Sequence, residues 1–414
     1  MAGNGSIEKR GKNTYRLEVS GGFDSSGNRI KYRRTVKVTA TTKRAIEKEL
    51  EKALAEFVLE VEKGEYFGGG KMTLKAFTEK WLKEYAEREL APKTLHRYKD
   101  MLDSRIIPAL GHHPMESIRP MHLVEFYNSL QEDGARKDKV KIDGKICKKP
   151  GGLSPQTIRH HHRLLSTIFN TACQWQVLKD NPASRVRPPK VPKADIASYD
   201  EEQTAALLAS LENEPLKFKV AVMIALTTGC RRGELLALEW QDIDFDNCFI
   251  TIDQSAQYIP GKGHITKDPK NETSKRTVPV PPSIMPLLKK YKAWQNEEKL
   301  RLGEQWNPKD PGRLFTTWNG KPMFPDTLSS WFREFLERHN LPKMTFHGLR
   351  HTAATLLIGK GVQDLTVSAL LGHSDPGTTK RIYAKSLKSA ERAAAEMMEK
   401  IVSRYEVNLV DKHI

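Results

Sequence analysis

Phe346-His-Gly-Leu-Arg-His-Thr352, Leu370-Leu-Gly-His-Ser374 and Thr379-Lys-Arg-Ile-Tyr383 follow one another along a single stretch of this chain. His347 and Arg350 stand three apart, so on a helix they project from one face. After Leu370 the chain turns through Gly372, which presents His373, and Pro376 and Gly377 break any helix there. A short helix beyond them carries Tyr383. Two imidazoles, a guanidinium and a phenol in this order suit one chemical task, holding a phosphate while a tyrosine attacks it. A phosphodiester is anionic at physiological pH, and its five-coordinate transition state gathers more negative charge. Fixed guanidinium and imidazole donors stabilise that charge, and losing one such donor typically costs about 3–4 kcal/mol. Singly the pieces are ordinary. His-x-x-Arg is common on solvated helices, Leu-Gly-His is a frequent helix end, and a lone tyrosine in a basic helix usually packs. Their joint occurrence sets the stretch apart.

The second half of the pattern lies upstream, at Thr227-Thr-Gly-Cys-Arg-Arg-Gly-Glu-Leu235. It follows the apolar run Val220–Leu226, which reads as a buried helix. Gly229 ends that helix, and Gly233 lets the backbone approach closely as the next one, Glu234–Leu238, begins. Arg231 is thereby placed at a helix junction, where a guanidinium can be held rigidly. Glu234 suits the positive dipole end of the new helix and braces Arg231. The plainer reading is a glycine-rich turn with surface arginines.

Thr-Gly-x-Arg-x-Gly-Glu-Leu, His-x-Leu-Arg, Leu-Gly-His and a following tyrosine together resemble the tyrosine recombinase (phage integrase) family. The full length resembles integrases of Gram-positive prophages and conjugative transposons. The resemblance implies that Arg231, His347, Arg350 and His373 hold the phosphate and that Tyr383 is the nucleophile. In the family a β-hairpin carries a catalytic lysine. Lys270, ahead of Thr273-Ser-Lys-Arg-Thr-Val-Pro279, matches best, and Lys267 is the rival. Tyr383 would form a 3′-phosphotyrosyl link and release a 5′-hydroxyl, and a partner strand's hydroxyl would reseal the DNA. The link stores the bond energy, so no ATP, metal or other cofactor is expected. A free tyrosine has a pKa of about 10, leaving about one in a thousand ionised at neutral pH, and the surrounding positive field favours the phenolate. The implied partners are double-stranded DNA at core crossover and arm sites, a homotetramer on that DNA, a directionality factor and a host DNA-bending protein. The implied place is a bacterial cytoplasm, at the nucleoid. A type IB topoisomerase and a catalytically silent DNA-binding regulator are the alternative readings.

Composition agrees with a nucleic-acid partner. The chain has 414 residues, a net charge of +17 and a pI near 9.5, which points to a polyanion and to more than one domain. No apolar run is long enough to span a membrane, and the N-terminus lacks a secretory apolar core. Cys147, Cys173, Cys230 and Cys248 are scattered without ligand spacing, which suits a reducing compartment and argues against zinc or disulfides.

The expected architecture is multidomain: a small α/β arm-binding domain (1–66, three-stranded sheet plus helix), an all-α core-binding bundle (73–185) and a mainly α catalytic domain with a small β-sheet insertion and a tail helix (195–414). In the first, Tyr15, Leu17 and Val19 share a strand face opposite Arg16. Ile30, Tyr32, Val36 and Val38 alternate with Lys31, Arg33 and Lys37. A helix over 41–63, with Ala45, Leu50, Leu54, Phe57 and Val61 on one side, covers the apolar face. Arg16, Lys31, Arg33 and Lys37 are left to meet DNA. Gly64–Lys71 reads as a flexible linker. In the bundle, Thr73 caps a helix with Phe77, Trp81 and Tyr85. Pro92 opens another, with Leu95, Tyr98 and Leu102 inside and Lys93, Arg97 and Lys99 outside as DNA contacts. Helices follow near 120–132 and 155–178, separated by a basic loop at 134–152 that either crosses DNA backbone or is disordered. Arg185–Lys193 reads as an extended connector tracking phosphates. The β insertion comprises Cys248–Asp253, His264–Thr266 and Arg276–Val280, with the lysine segment between the last two. Leu387, Ala390, Ala394, Met397 and Ile401 form the stripe of an amphipathic tail helix that docks on a neighbouring subunit.

Overall fold

Alternation from Ser6 to Lys37 is realised as three antiparallel strands with the second in the middle: β1 (Ser6–Lys9), β2 (Thr14–Phe23) and β3 (Arg29–Lys37). The register sets Leu17 against Ile7 and Arg34, and Val19 against Tyr32. Helix α1 (Lys43–Glu62) covers that face, and Leu17, Val19 and Phe57 are fully buried between sheet and helix. Ala45 is exposed rather than covering the sheet, because the inward stripe starts at the half-buried Ile46. Arg34, on the apolar side, lies 4.7 Å from the Phe57 ring and pairs with Glu60 of α1. The computed structural model describes residues 5–23, 29–62, 72–136, 139–142, 145–148, 150–192, 197–268, 275–307, 309 and 312–372, and then only Ala395, Met398, Glu399 and Val402. The linker Gly64–Lys71 and the tail residues Leu387, Ala390, Ala394, Met397 and Ile401 lie outside the described residues. The chain divides into two units, Met1–Lys193 and Ala194–Ile414.

The helical part of the first unit begins where Thr73 caps α2 (Leu74–Trp81), its side chain accepting from the Ala76 amide at 3.2 Å. The second helix, α3 (Pro92–Met101), opens on proline. Both run on through π-type turns, Leu82–Ala86 and Leu102–Ile106. They pack with α4 (Pro120–Ser129) and α5 (Pro155–Gln174) around Phe77, Trp81, Leu123, Leu165 and Phe169. Trp81 is fully buried, and its indole N–H donates to Thr171 Oγ1 at 3.2 Å, so its polar edge is satisfied. The core extends to Val186, one residue past the expected end of the bundle. The expected loop at 134–152 instead contains an antiparallel ribbon, β4 (Lys139–Ile142) against β5 (Lys145–Lys148). Alternation of lysine with Val140, Ile142 and Ile146 supplies the strand pattern that its charge concealed.

The second unit is mainly helical: α6 (Glu201–Ser210), α7 (Leu216–Thr228), α8 (Arg232–Leu235), α9 (Met285–Leu302), α10 (Pro325–Arg338), α11 (Gly348–Gly359) and α12 (Asp364–Leu371). α7 is apolar nearly all round and sits in the core, with Val220, Val222 and Ile224 fully buried. Helix α8 is a single turn, shorter than the expected Glu234–Leu238 segment.

The β insertion differs from expectation in its pairing. Strands β6 (Ile243–Asp244), β7 (Phe249–Ile252) and β10 (Arg276–Pro279) make one sheet, ordered β10-β7-β6. Strands β8 (Ser255–Ile259) and β9 (Gly263–Lys267) make a separate hairpin. The lysine segment therefore leaves one sheet and enters another, rather than joining two paired strands. Ser255–Ile259 was missed because its single glutamine and serine obscure the alternation. Gly261 and Gly263, both with positive φ, make the turn that pairs it with β9.

Candidate active site

Helix α7 ends at Gly229, whose φ of +60 is left-handed. A Cβ at this position would lie 2.0 Å from Leu371 Cδ2, so conformation and packing both require glycine. Arg231 follows in extended conformation and precedes α8. From the first turn of α8, Glu234 reaches back to accept from the Arg231 amide (2.9 Å) and from Arg231 Nη1 (2.7 Å). Gly233 lets this turn lie against β8, since a Cβ there would be 2.6 Å from Ser255 Oγ. Arg276, at the start of β10, donates from Nη2 to Glu234 Oε2, the oxygen that also accepts from the Arg231 amide, at 3.0 Å. The Glu234 and Arg276 side chains are only 3% and 7% exposed. Burial alone would raise the Glu234 carboxyl, but Arg276 and Arg231 outweigh it and hold the group below the usual carboxylate range.

The last carbonyls of a helix lack intrahelical partners and carry the negative end of its dipole. At the end of α12 each of three successive carbonyls accepts from a different arginine. Arg276 Nε donates to Leu370 O (2.9 Å), Arg350 Nη1 to Leu371 O (2.6 Å) and Arg231 Nη2 to Gly372 O (3.0 Å). Arg350 Nη1 also donates to Gly229 O at 2.7 Å. Arg350 is 2% exposed, and its Nη2 has no hydrogen-bond partner among the described residues. Burial, with Arg231 nearby, lowers this guanidinium to about 9, which leaves it charged at neutral pH. A buried cation with an unspent donor is a site for an anion.

His347 immediately precedes α11 and is exposed as a residue, while its ring meets that of His351 edge-on at 4.9 Å. Desolvation of the packed side, then the positive surroundings of His351, Arg350 and Arg231, push it down to about 4. Arg231, Glu234, His347 and Arg350 are thus brought together in one neighbourhood. Lys267 ends β9 half-buried and Lys275 is exposed, whereas Lys270, His373 and Tyr383 lie outside the described residues. Arg276 is the participant that sequence reading missed. It shares the strand face of the buried Val278, opposite Ile252, and an arginine in the inward register of a strand was the available signal.

In the first unit, Arg16, Lys31, Arg33 and Lys37 do share the uncovered sheet face. That face is not simply basic. Glu18 sits among them, paired with Lys31 (2.7 Å) and Arg33 (2.9 Å), and Glu8 lies 3.8 Å from Arg16. Hydrogen bonds from Lys31 and Arg33 pull Glu18 down to about 2. On α3, Lys93 and Arg97 are exposed, while Lys99 pairs with Glu87 at 2.7 Å.

Residues 198–390 match the profile of the phage integrase family, and residues 73–131 that of the phage integrase N-terminal SAM-like domain. A tyrosine recombinase of Thermosipho africanus is 31% identical over 55% of this chain and 72% of its own length. The chain belongs to the phage integrase family of tyrosine recombinases. A XerC-like tyrosine recombinase of Caldanaerobacter subterraneus is 29% identical over 96% of this chain and 99% of that one. Among solved structures, the integrase of transposon Tn1549 in complex with transposon right-end DNA covers 78% of this chain and 100% of that one at 22% identity and a TM-score of 0.61, a likeness of fold. This tyrosine recombinase is a site-specific enzyme that cuts and rejoins DNA strands. Among the described residues no helix is long and apolar enough to cross a membrane, and no three His, Cys, Asp or Glu side chains are grouped to hold a metal.

Proposed function

We propose that Arg231, His347, Arg350 and His373 hold the scissile phosphate while Tyr383 attacks it, making a 3′-phosphotyrosyl link in the integration and excision of a mobile element. The observation that carries this reading is the Arg350 guanidinium, buried and charged with Nη2 unspent, beside Arg231. Its Nη1 is fixed by two carbonyls, so the unspent Nη2 is oriented before any anion arrives. Glu234 holds Arg231 in place. Lys270 protonates the departing 5′ oxygen, with Lys267 as the rival for that role. Residues 1–66 bind arm sites through Arg16, Lys31, Arg33 and Lys37, residues 73–185 bind the core site with Lys93, Arg97 and Lys99, and residues 195–414 cut. Four copies assemble on DNA, with the tail docking on a neighbour. The enzyme works in the bacterial cytoplasm, with a directionality factor and a DNA-bending protein.

The test uses DNA fragments spanning the ends of the mobile element that carries the coding sequence. Strand exchange between paired sites is expected, without ATP. Relaxation of supercoils on any DNA, with no exchange, would instead support a topoisomerase.

His347 gives a pH prediction. In the free enzyme it stays neutral down to about pH 4. A phosphodiester beside it favours the imidazolium, so the bound-state pKa lies higher. Between the two values binding takes up a proton, and core-site affinity should therefore rise as pH falls from 7 to 5. His347→Gln should flatten that dependence; equal slopes for the two proteins would remove His347 from the phosphate.

A further inference from the structure

We propose that Arg276 is a positioning residue for strand cleavage, acting through Glu234 and the end of α12 rather than on DNA. This rests on the phosphate-site reading given above.

Two of the bonds that Arg276 makes run in different directions. Nη2 meets Glu234 Oε2 at 3.0 Å, and Nε meets Leu370 O at 2.9 Å. Through the first it shares the carboxylate that orients Arg231 by both its amide and its side chain. Through the second it holds the helix end whose next two carbonyls engage Arg350 and Arg231. Its own side chain is 7% exposed, so its contribution passes through those neighbours. Two further features fit this role. A Cβ on Gly372 would stand 3.0 Å from Arg276 Nη1, so the guanidinium lies directly against the turn that precedes His373. Arg276 also opens β10, directly after the segment containing Lys270, so the same residue ties that segment's downstream end to the phosphate-binding arginines.

Without Arg276, Glu234 loses its buried counter-charge and the Leu370 carbonyl loses its donor. Arg231 and the His373 turn are then less well placed, although every group that touches phosphate remains. Binding and cleavage should separate. A lysine keeps the charge but has no planar fork to reach both acceptors at once.

The experiment compares wild type, Arg276→Ala, Arg276→Lys, Glu234→Gln and the Arg276→Ala/Glu234→Gln double variant of the full chain. Core-site binding, melting temperature and single-turnover adduct formation on a nicked core site are measured at saturating enzyme. Arg276→Ala should bind within about threefold of wild type yet form adduct roughly ten- to a hundredfold more slowly, the range seen elsewhere when a residue that orients a metal ligand is lost. Arg276→Lys should recover part of that loss. The double variant should be no slower than the slower single one, because both changes break one unit. An Arg276→Ala rate equal to wild type overturns the proposal. So do multiplicative losses in the double variant, or a fall in binding and melting temperature that matches the fall in rate. If Arg276→Ala does not fold, a wild-type rate for Arg276→Lys overturns it alone. Failure of wild type to form any adduct would instead refute the phosphate-site reading itself.

Discussion

Tyr383→Phe is expected to bind its core site as wild type does and to form no covalent adduct with it. The substitution removes a single oxygen, the atom proposed to bond to phosphorus, and leaves the ring and every phosphate donor in place. Phenol is a weak nucleophile when protonated, with a pKa of about 10, and in the proposed mechanism the field of Arg231 and Arg350 activates it. Without the oxygen that field has nothing to activate. The loss should exceed about ten-thousandfold, as expected when a catalytic nucleophile is deleted. Trapping on a nicked core site followed by denaturing electrophoresis measures it. A denaturant-resistant adduct from the variant would place the nucleophile elsewhere, with Tyr405 the first residue to test.

The second large effect is expected at Arg350. Truncation to alanine would leave the buried Gly229 and Leu371 carbonyls without their donor, at about 1–3 kcal/mol each, so stability and catalysis would fall together. Arg350→Lys is the cleaner variant. It keeps a positive charge, but an ammonium cannot bridge two carbonyls on one side and a phosphate on the other. Adduct formation should slow by about a hundred- to a thousandfold, equivalent to about 3–4 kcal/mol of transition-state stabilisation. Core-site affinity should change far less, since this is one of several phosphate contacts. A rate within tenfold of wild type would show that Nη2 does not meet the phosphate.

The parts of this site that were readable in the sequence are those made by neighbours. Gly229 marks a left-handed helix end, and Glu234 lies three residues from the arginine that it holds, so both leave local signatures. The apolar run Val220–Leu226 announced its buried helix for the same reason. What stayed hidden is pairing at a distance. Alternation identifies a strand but not its partner, so β9 and β10 read as one hairpin although they belong to separate sheets. Arg276 carries no local mark of the carboxylate it meets 42 positions upstream or the carbonyl 94 positions downstream. On the N-terminal sheet the basic residues were legible as a face, whereas Glu18's place between Lys31 and Arg33 depends on cross-strand register. In the ribbon at 139–148 the high lysine content masks the alternation of Val140, Ile142 and Ile146.

The arginine-held end of α12 also bears on when the enzyme can become dangerous to its host. Arg231 meets a carbonyl 141 positions away, and Arg350 reaches back 121 positions to Gly229. Contacts of such sequence separation form late, because the loop between them must be closed first. A nascent chain that has not yet reached α12 therefore possesses Arg231, Arg276 and Arg350 without the helix end that holds them. The enzyme thus acquires its competence to cut DNA only near the end of synthesis and folding.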